Sequence, residues 1–362
     1  MTSHGLIRVL VIDDSAFSRQ AITRMLGTSP LVEVVGVARD GEEALRKTFE
    51  LEPDLITLDL EMPRMDGFTF LRIVMSKRPT PVMVISGRAG EEDVFRALDL
   101  GAVDFIAKPK PHAAPELVEI EQELIRKVHA IRELRIEKVR DRLSAMPAAV
   151  SRGAKEADTA TPPVVVIGSS TGGPAALMQI FGAFAEAPPC AFLVAQHMPE
   201  GFTRGFAERL DRLTPFRAFE AMGGEIPKPG TILVAPGGSH LELENLGGTV
   251  VTRISPPSAA DKYTPSVDRL FASAAKCFGQ DVLAVVLTGM GDDGRQGVTT
   301  VKSGGGSVIA ESENTAVIFG MPQQAIRTGA VDQVLSLNDI ATAIQLGVGS
   351  VKARVSSRKG LV

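Results

Sequence analysis

The chain is poor in cysteine, has no excess of basic residues and lacks long apolar runs, and each absence excludes a class of protein. It has two cysteines in 362 residues, Cys190 and Cys277, and their spacing fits neither a zinc site nor a redox pair. We therefore expect two buried thiols in a reducing, cytoplasmic setting. The formal net charge of −4 gives no sign of binding to nucleic acid or to an anionic membrane. No apolar run approaches the roughly 18–20 residues that span a bilayer, and no signal-peptide pattern is present, so we expect no membrane insertion.

Length and patterning predict two α/β domains. Short apolar runs alternate with helical periodicity twice along the chain, which is typical of parallel strands covered by helices. The first region predicts a five-stranded parallel sheet, and the second a doubly wound domain with a mainly parallel sheet. An Ala/Ser/Pro-rich stretch over residues 143–163 predicts a linker. The predicted domains are residues 1–125, a helical extension and linker over 126–162, a second domain over 163–350 and a tail over 351–362. The candidate strands are Ile7–Ile12, Val32–Ala38, Asp54–Asp59, Pro81–Ser86, Val103–Ala107, Val164–Ile167, Ala191–Gln196, Thr231–Val234, Val282–Leu287 and Ser307–Ala310.

Charged and hydroxyl residues stand at four strand ends of the first region. They are Asp13 and Asp14 after the first strand, Asp59 at the end of the third, Ser86 at the end of the fourth and Lys108 after the fifth. Ligands of open parallel sheets bind beyond the carboxyl ends of the strands. Clustered carboxylates repel one another and favour a bound Mg²⁺, while a lysine and a serine can hold phosphoryl oxygens. Asp59 can then accept a phosphoryl group, although each residue alone is also a common turn or cap residue.

These residues resemble the response-regulator receiver domain. The resemblance covers residues 6 to about 125 and rests on Val11-Ile-Asp-Asp-Ser, on Leu58–Gly67 and on Lys108-Pro. It implies a flavodoxin-like fold and phosphate transfer from a histidine kinase to Asp59. Phe105 matches the aromatic switch position of the family. The Mg²⁺ ligands that the resemblance implies are Asp13, Asp14, Asp59 and the backbone carbonyl of Glu61.

A glycine-rich turn after the first strand of the second region contains another candidate site. Gly168-Ser-Ser-Thr-Gly-Gly satisfies G-x-S-x-G, in which small neighbours let a serine stand on a sharp strand-to-helix turn. The helix N-terminus that follows offers N–H groups to an anionic oxygen. Turns of this kind also bind dinucleotide pyrophosphate, although the spacing here is not G-x-G-x-x-G. The turn alone leaves a nucleophilic Ser170 and a nucleotide site equally open.

Two histidines of the second region are candidates for a general base. His197 directly follows a predicted strand and is expected at the same sheet edge as Ser170, whereas His240 lies in a glycine-rich turn between antiparallel strands. A lone histidine is more often structural, so His197 is preferred only because of the serine turn, and His240 stays the alternative. A carboxylate that orients the imidazole is expected beyond another strand, where Thr288-Gly-Met-Gly-Asp-Asp-Gly is found. The chain order of serine, histidine and aspartate differs from that of α/β-hydrolases.

These motifs resemble the catalytic domain of the chemotaxis protein-glutamate methylesterases, the CheB family. The resemblance spans about residues 163–347. By motif it implies Ser170 as nucleophile, His197 as base and Asp293, rather than its neighbour Asp292, as the third member. The matching motifs are Gly168-Ser-Ser-Thr-Gly-Gly, Gln196-His-Met, Thr264-Pro-Ser-Val-Asp and Thr288-Gly-Met-Gly-Asp-Asp-Gly.

The resemblance also implies active-site positions for Thr171 and Met290, with the Met290 N–H as an oxyanion donor. Ser169 departs from the family, which most often has alanine there. The implied reaction is hydrolysis of glutamyl methyl esters on methyl-accepting chemoreceptors, with deamidation of glutamine side chains and no cofactor in the catalytic domain. Phosphorylation of Asp59 is expected to activate the enzyme by moving the receiver away from the catalytic edge.

Two other classes of protein fit the sequence less well. A receiver linked to a DNA-binding module predicts a basic helix-turn-helix pattern, and the second region instead has an α/β pattern. An adaptor that binds receptors without catalysis has no need of a serine, a histidine and an aspartate at successive strand ends. We therefore expect an enzyme of two-component signalling that does not bind nucleic acid.

Overall fold

A computed structural model describes residues 5–86, 91–108, 114–131 and 162–359, together with residues 134, 136 and 139. Most of the predicted linker, residues 143–161, lies outside these described residues. The chain divides into two compact units, Met1–Ser144 and Ala145–Val362. The domain bounds at residues 125, 162 and 350 stay predictions. Among the described residues, no helix combines the length and the apolar character needed to cross a membrane.

The first unit is a five-stranded parallel sheet whose strands alternate with helices. Its elements are β1 (Ile7–Ile12), α1 (Ala16–Leu26), β2 (Val32–Ala38), α2 (Gly41–Leu51), β3 (Leu55–Leu58), α3 (Gly67–Lys77), β4 (Val82–Ser86), α4 (Glu91–Asp99), β5 (Asp104–Ala107) and α5 (Ala114–Ala130). The strand order is β2-β1-β3-β4-β5, which is the order of flavodoxin-like folds. Every pair of neighbouring strands runs parallel. The predicted fold class of the first domain is confirmed.

Burial and helix caps explain why these segments form the sheet and its helices. Every residue of β3 is buried, as expected for a central strand with helices on both faces of the sheet. Ser15, Asp40 and Asp66 accept backbone N–H groups at the first turns of α1, α2 and α3, which satisfies donors that have no partner within the helix. Because all five strands run parallel, the loops after β1, β3 and β5 lie at the same carboxyl edge of the sheet.

The second unit combines a seven-stranded sheet with a separate hairpin. Its elements are β6 (Val164–Ser169), α6 (Gly173–Gly182), β7 (Ala191–Gln196), α7 (Phe202–Leu213), β8 (Arg217–Glu220), β9 (Thr231–Val234), β10 (His240–Leu246), β11 (Thr249–Ser255), α8 (Val267–Phe278), β12 (Val282–Val286), α9 (Arg295–Ser303), β13 (Ser307–Glu311), α10 (Gly320–Arg327), β14 (Gln333–Leu335) and α11 (Leu337–Lys359). The sheet order is β14-β13-β12-β6-β7-β9-β8, and β10 pairs with β11. All neighbouring strands of the sheet run parallel, whereas the hairpin is antiparallel. The predicted doubly wound, mainly parallel class is confirmed.

The strand order determines where a site can form in the second unit. Strands β12, β6 and β7 are neighbours in the centre of the sheet, and all their residues are buried. The chain passes from β6 to β7 on one side and later returns to β12 on the other. The carboxyl ends of β6 and β12 therefore flank a topological switch point, where open α/β sheets bind their ligands.

The sequence pattern does not predict the two edge strands, β8 and β14. They contain 4 and 3 residues, and each has exposed positions. Neither contains the continuous apolar run that marks a strand buried on both faces. Pairing with the neighbouring strand, rather than local sequence, makes these segments extended.

The two cysteines differ in burial. Cys190 is buried as expected, but Cys277 is half-buried, so the expectation of two buried thiols is wrong for Cys277. Cys277 lies in the last turn of α8, where its side chain packs against the edge of the core. Burial raises the pKa of both thiols, and both therefore stay protonated at neutral pH.

Candidate functional site

Ser170 stands on the turn that connects β6 to α6. Gly172 has a φ of +76°, a conformation that favours glycine and turns the chain sharply into the helix. The Ser170 N–H donates to the Thr288 carbonyl at 3.0 Å, and the Ser170 carbonyl accepts the Gly173 N–H at 2.8 Å. Ser170 is 8% exposed. The turn is therefore fixed to the loop after β12 while the serine keeps some access to solvent.

Gln196, the last residue of β7, connects the serine turn to His197. Its Nε2 donates to the carbonyls of Ser170 and His197 at 2.9 and 3.0 Å. The Ser169 hydroxyl donates to Gln196 Oε1 at 2.6 Å and so fixes the orientation of the amide. Glycine is needed at position 173, because a Cβ there would lie 2.8 Å from Ser169 Cβ and overlap Gln196 Oε1. This network sets the spacing between the backbones of Ser170 and His197.

His197 and Asp293 form a hydrogen-bonded pair. The His197 N–H donates to the Ser169 carbonyl at 3.0 Å, which fixes the start of the loop after β7. His197 Nε2 lies 2.8 Å from Asp293 Oδ2. Because a carboxylate can only accept, Nε2 has the proton and Nδ1 is the basic nitrogen of the neutral ring. The imidazole is 14% exposed.

The Asp293 carboxylate lies at the N-terminus of α8. It accepts the N–H groups of Val267 and Asp268 at 2.7 and 2.9 Å, and the hydroxyl of the N-cap residue Ser266 at 3.2 Å. Burial alone would raise the pKa of Asp293, but the hydrogen bonds from His197 and from the helix N–H groups hold it below the ordinary value. Asp293 is therefore ionised at neutral pH and can orient the imidazole.

The alternative carboxylate and the alternative base both have other partners. Asp292 Oδ1 accepts the Lys262 ammonium at 2.7 Å. His240 is fully buried; its Nδ1 accepts the Ser266 N–H at 3.1 Å and its Nε2 donates to Asp261 Oδ2 at 3.2 Å. Both ring nitrogens of His240 thus form hydrogen bonds with residues of the loop before α8. The geometry favours His197 over His240 as the partner of a serine.

The loop after β12 packs directly on Ser170. A Cβ at Gly289 would lie 2.8 Å from Ser170 Cβ, so this loop can approach only because position 289 is glycine. Met290 follows and is half-buried. Thr171 is 4% exposed, and its carbonyl accepts the Thr288 hydroxyl at 3.0 Å. Thr171 and Met290 therefore lie in the two loops that meet at the serine, while their roles stay predictions.

The carboxylates of the first unit come together beyond β1 and β3. One oxygen from each of Asp13, Asp14 and Asp59 lies within 4.8 Å of the others. Lys108 Nζ lies 2.6 Å from Asp59 Oδ2 and 3.1 Å from Asp13 Oδ2. Asp13 Oδ2 is buried, and its contact with the Lys108 ammonium is an ion pair. Three carboxylates around one lysine ammonium leave net negative charge at this edge, which fits a hard cation such as Mg²⁺.

Burial disfavours the ionised forms of these carboxylates. It raises the pKa of Asp13, and together with the charge of Asp13 it raises the pKa of Asp59 to about 6. Burial would lower the pKa of Lys108, but the contacts with Asp59 and Asp13 raise it instead. A lysine that stays charged partly balances the carboxylates, and a divalent cation would offset the rest of their repulsion.

The remaining predicted residues of the first unit lie in or beside the same strands. Phe105 is in β5 and is 2% exposed. Ser86 ends β4, and its side chain lies outside the described residues. The Glu61 N–H donates to Asp59 Oδ1 at 3.3 Å, while the role of its carbonyl as a metal ligand stays a prediction.

Sequence reasoning did not identify three residues that hold the side chains of this candidate site in place. Gln196 is a polar residue at the end of a buried strand, and such a residue signals a hydrogen-bond network. Ser266 stands just before an amphipathic segment, where serine indicates a helix N-cap. Tyr263 contacts His197 from a distant part of the sequence, and no local pattern predicts that contact.

Comparisons with known proteins identify relatives of both units. The family model described as CheB methylesterase matches residues 165–344, and the model described as Response regulator receiver domain matches residues 9–120. A Geobacter sulfurreducens protein named protein-glutamate methylesterase/protein-glutamine glutaminase 3 is 50% identical over 357 residues, covering 93% of this chain and 96% of its own. A Myxococcus xanthus protein named protein-glutamate methylesterase/protein-glutamine glutaminase 1 is 47% identical, covering 95% of this chain and 98% of its own. The crystal structure of the Thermotoga maritima CheB methylesterase catalytic domain is 40% identical with a TM-score of 0.50, covering 51% of this chain and 98% of that domain.

Proposed function

The chain belongs to the CheB methylesterase family, and from this membership we propose that it hydrolyses glutamyl methyl esters on chemoreceptors and deamidates their glutamine side chains. The curated relatives have both activities in their names and match nearly the full length of the chain. The receiver domain in front of the catalytic unit makes the enzyme a response regulator. We propose that phosphorylation of this receiver controls hydrolysis.

The observation that carries the proposal is the arrangement at three adjacent strand ends. Ser170 follows β6, His197 follows β7 and Asp293 lies in the loop after β12. The bond between His197 Nε2 and Asp293 Oδ2, at 2.8 Å, supports a base that is oriented by a carboxylate. The amide of Gln196 supports a fixed spacing between the serine and the histidine.

In the proposed reaction His197 Nδ1 takes the proton of the Ser170 hydroxyl while Oγ attacks the ester carbonyl. The tetrahedral intermediate collapses to an acyl-enzyme, and methanol leaves with the proton from the imidazolium. Water then attacks the acyl carbonyl, the imidazole takes a proton from it, and the glutamate side chain is released with Ser170 restored. Asp293 stays ionised throughout and stabilises the imidazolium.

The same acyl-enzyme can form from a glutamine side chain, with ammonia as the leaving group. The negative charge of the tetrahedral intermediate needs donors that are fixed in advance. We assign the Met290 N–H to this role, since its loop packs on Ser170, and we place Thr171 beside it as a supporting residue. We propose no cofactor for this chemistry, because serine, histidine and aspartate supply the nucleophile, the base and the orienting charge.

The receiver is proposed to accept a phosphoryl group on Asp59 from a histidine kinase. Asp13, Asp14, Asp59 and the Glu61 carbonyl would hold Mg²⁺, which when bound supplies charge neutralisation for the phosphoryl oxygens. Lys108 would bind a phosphoryl oxygen through its ammonium group, with Ser86 as a second donor and Phe105 as the switch residue. A chemoreceptor substrate and a kinase donor would place the reaction in the cytoplasm, a location that stays a prediction.

The test of this function is methanol release from a chemoreceptor fragment whose glutamyl side chains have been methylated. Purified full-length protein should release methanol in proportion to the methyl ester present, and an unmethylated fragment should yield none. A receptor fragment with glutamine at the same positions should release ammonia. Methanol release no faster than that of buffer, from a chain with an intact far-ultraviolet circular dichroism spectrum, would contradict the proposal.

A further inference from the structure

The ring of Tyr263, the one tyrosine of the sequence, lies flat against the imidazole of His197. The ring centroids are 5.0 Å apart and the planes differ by 5°. The Asp293 hydrogen bond holds the imidazole at one edge only. Rotation about the Cβ–Cγ bond of histidine is soft, because torsions between sp³ and sp² atoms have broad minima. A flat contact on the ring face restricts this rotation in a way that the single edge contact does not.

Tyr263 is itself held in place by the loop after β12. Its hydroxyl donates to Asp292 Oδ1 at 2.9 Å, and Lys262 Nζ donates to the same oxygen at 2.7 Å. The hydrogen bond from Lys262 lowers the pKa of Asp292, and burial raises the pKa of Tyr263. The phenol therefore stays a donor and the carboxylate an acceptor at neutral pH.

The backbone of this loop leaves room for the tyrosine. Gly291 has a φ of +93°, and a Cβ there would lie 3.0 Å from Tyr263 Cζ and overlap the hydroxyl oxygen. Asp292 and Asp293 are neighbours in sequence, so one short segment holds both Tyr263 and the Nε2 edge of His197. The imidazole is thus fixed at one edge by Asp293 and on one face by a ring that Asp292 anchors.

We propose that Tyr263 is a positioning residue, whose ring holds the His197 imidazole in the orientation needed for proton transfer from Ser170. This role rests on the proposed serine mechanism. It differs from simple packing, because the part of Tyr263 that matters is the planar ring and not its hydrophobic volume. Loss of the ring should therefore reduce turnover more than substrate binding.

The test compares Tyr263→Phe with Tyr263→Leu in the full-length protein. Phenylalanine keeps the ring but loses the hydrogen bond to Asp292, so its kcat should fall by less than about tenfold, since the stacking of roughly 0.5–1.5 kcal/mol is retained. Leucine keeps apolar volume without a planar face, so its kcat should fall about 10- to 100-fold, as small misplacements of catalytic groups do. KM should change by less than about threefold in both variants, because the interaction lost acts on the chemical step.

A spectroscopic measurement tests the stacking without reference to activity. At least one carbon-bound proton of the His197 ring should resonate upfield in the parent protein and in Tyr263→Phe, because the imidazole stacks on an aromatic ring in both. In Tyr263→Leu the same proton should return to an ordinary position. His197→Gln identifies these signals by their disappearance. The sequence has no tryptophan and one tyrosine, so the near-ultraviolet circular dichroism at wavelengths longer than the phenylalanine bands reports on Tyr263 and checks that its ring is immobile.

Three outcomes would overturn the proposal. They are a folded Tyr263→Leu variant with near-parental kcat, a Tyr263→Phe variant as impaired as the leucine variant, and parental His197 signals without an upfield shift. If the leucine variant does not fold, the proposal is still tested by the spectra of the parent and of Tyr263→Phe, together with the kcat of Tyr263→Phe. Failure of the proposed function is distinct, since it would appear as no methanol release from the parent, or as full activity in Ser170→Ala, while the ring-current shift is unchanged.

Discussion

Ser169 and Ser170 are adjacent serines whose side chains have different environments. The Ser169 hydroxyl donates to Gln196 and is fully buried, whereas Ser170 stands on the turn at the carboxyl edge. We expect Ser170→Ala to lose about 10⁶ in kcat, as removal of a serine nucleophile does in another hydrolase. Ser169→Ala should stay within about tenfold of the parent, because the Gln196 amide keeps its two carbonyl partners. Initial rates of methanol release measure both, and equal losses in the two variants would contradict the assignment.

Asp292 and Asp293 provide a second matched pair. Asp293→Asn should reduce kcat by about 10⁴, since an amide at that position favours the wrong tautomer of the imidazole. Asp292→Asn should be mild, because asparagine keeps an oxygen that can accept from Lys262 and Tyr263. Steady-state kinetics on both variants decide between the two aspartates. A reversed order of effects would show that the motif register is wrong by one residue.

At this scale the sequence predicts the reactive groups better than the contacts that hold them. Local motifs make Ser170 and His197 candidates, and the resemblance to the family selects Ser170 as nucleophile and Asp293 over Asp292. The bond from Gln196 to the Ser170 carbonyl spans 26 positions in sequence, and the stacking of Tyr263 on His197 spans a longer segment. Such contacts depend on how strands and loops meet in three dimensions, and no local spacing specifies them.

At the scale of elements, the approach of α8 to β6 determines the position of Asp293. Gly168 of β6 is the contact point, since a Cβ there would lie 2.7 Å from Val267 Cγ2 and closer still to Cγ1. The Val267 N–H donates to Asp293 at 2.7 Å. Gly168→Ala must therefore move the helix away from the strand and disturb the carboxylate. We expect a destabilisation of about 1–3 kcal/mol from overpacking, with lower turnover.

A double mutant separates this steric effect from other losses. Val267→Ala removes both γ carbons, so the combination with Gly168→Ala should regain most of the lost stability and part of the activity. Val267→Ala alone is the control for the cavity that it creates. Thermal midpoints and methanol-release rates of the four proteins give the coupling. Additive losses in the double mutant would exclude the contact as the cause.

Strands buried on both faces are predictable from sequence, and so is the edge strand β2, whereas the two edge strands of the second sheet are not. The apolar runs of β3, β6 and β12 predict strands because every residue is buried. The edge strands β8 and β14 have mixed burial, so their extended form depends on the neighbouring strand. The order of the seven strands also depends on long-range packing, which explains why the sequence predicts the class of the second sheet without its full order.

At the scale of the whole molecule, the two units have separate chemistry that only the full chain can couple. The proposed phosphorylation would add charge and acceptor oxygens at Asp59, a buried carboxylate already paired with Lys108 at 2.6 Å. The groups proposed for hydrolysis, Ser170, His197 and Asp293, belong to the other unit, residues Ala145–Val362. A change in methanol release on addition of a phosphodonor therefore has to be transmitted through the chain, with coupling in the usual range of about 1–3 kcal/mol.

The decisive prediction is that the response to a small-molecule phosphodonor depends on Asp59 and on the receiver. The parent chain should hydrolyse methyl esters about 5- to 150-fold faster with the phosphodonor and Mg²⁺ than without them. In Asp59→Asn the ratio of the two rates should be one. The control is Asp54→Asn, which changes an exposed residue directly before β3, at the opposite end of the strand from Asp59, and should keep the parental ratio.

Removal of the receiver tests how it controls the enzyme. Residues 145–362 alone should show no response to the phosphodonor but a higher rate than the unphosphorylated parent, because the receiver no longer restrains them. A truncated protein no faster than the unphosphorylated parent would rule out relief of inhibition, and activation would then require a direct contribution from the phosphorylated receiver.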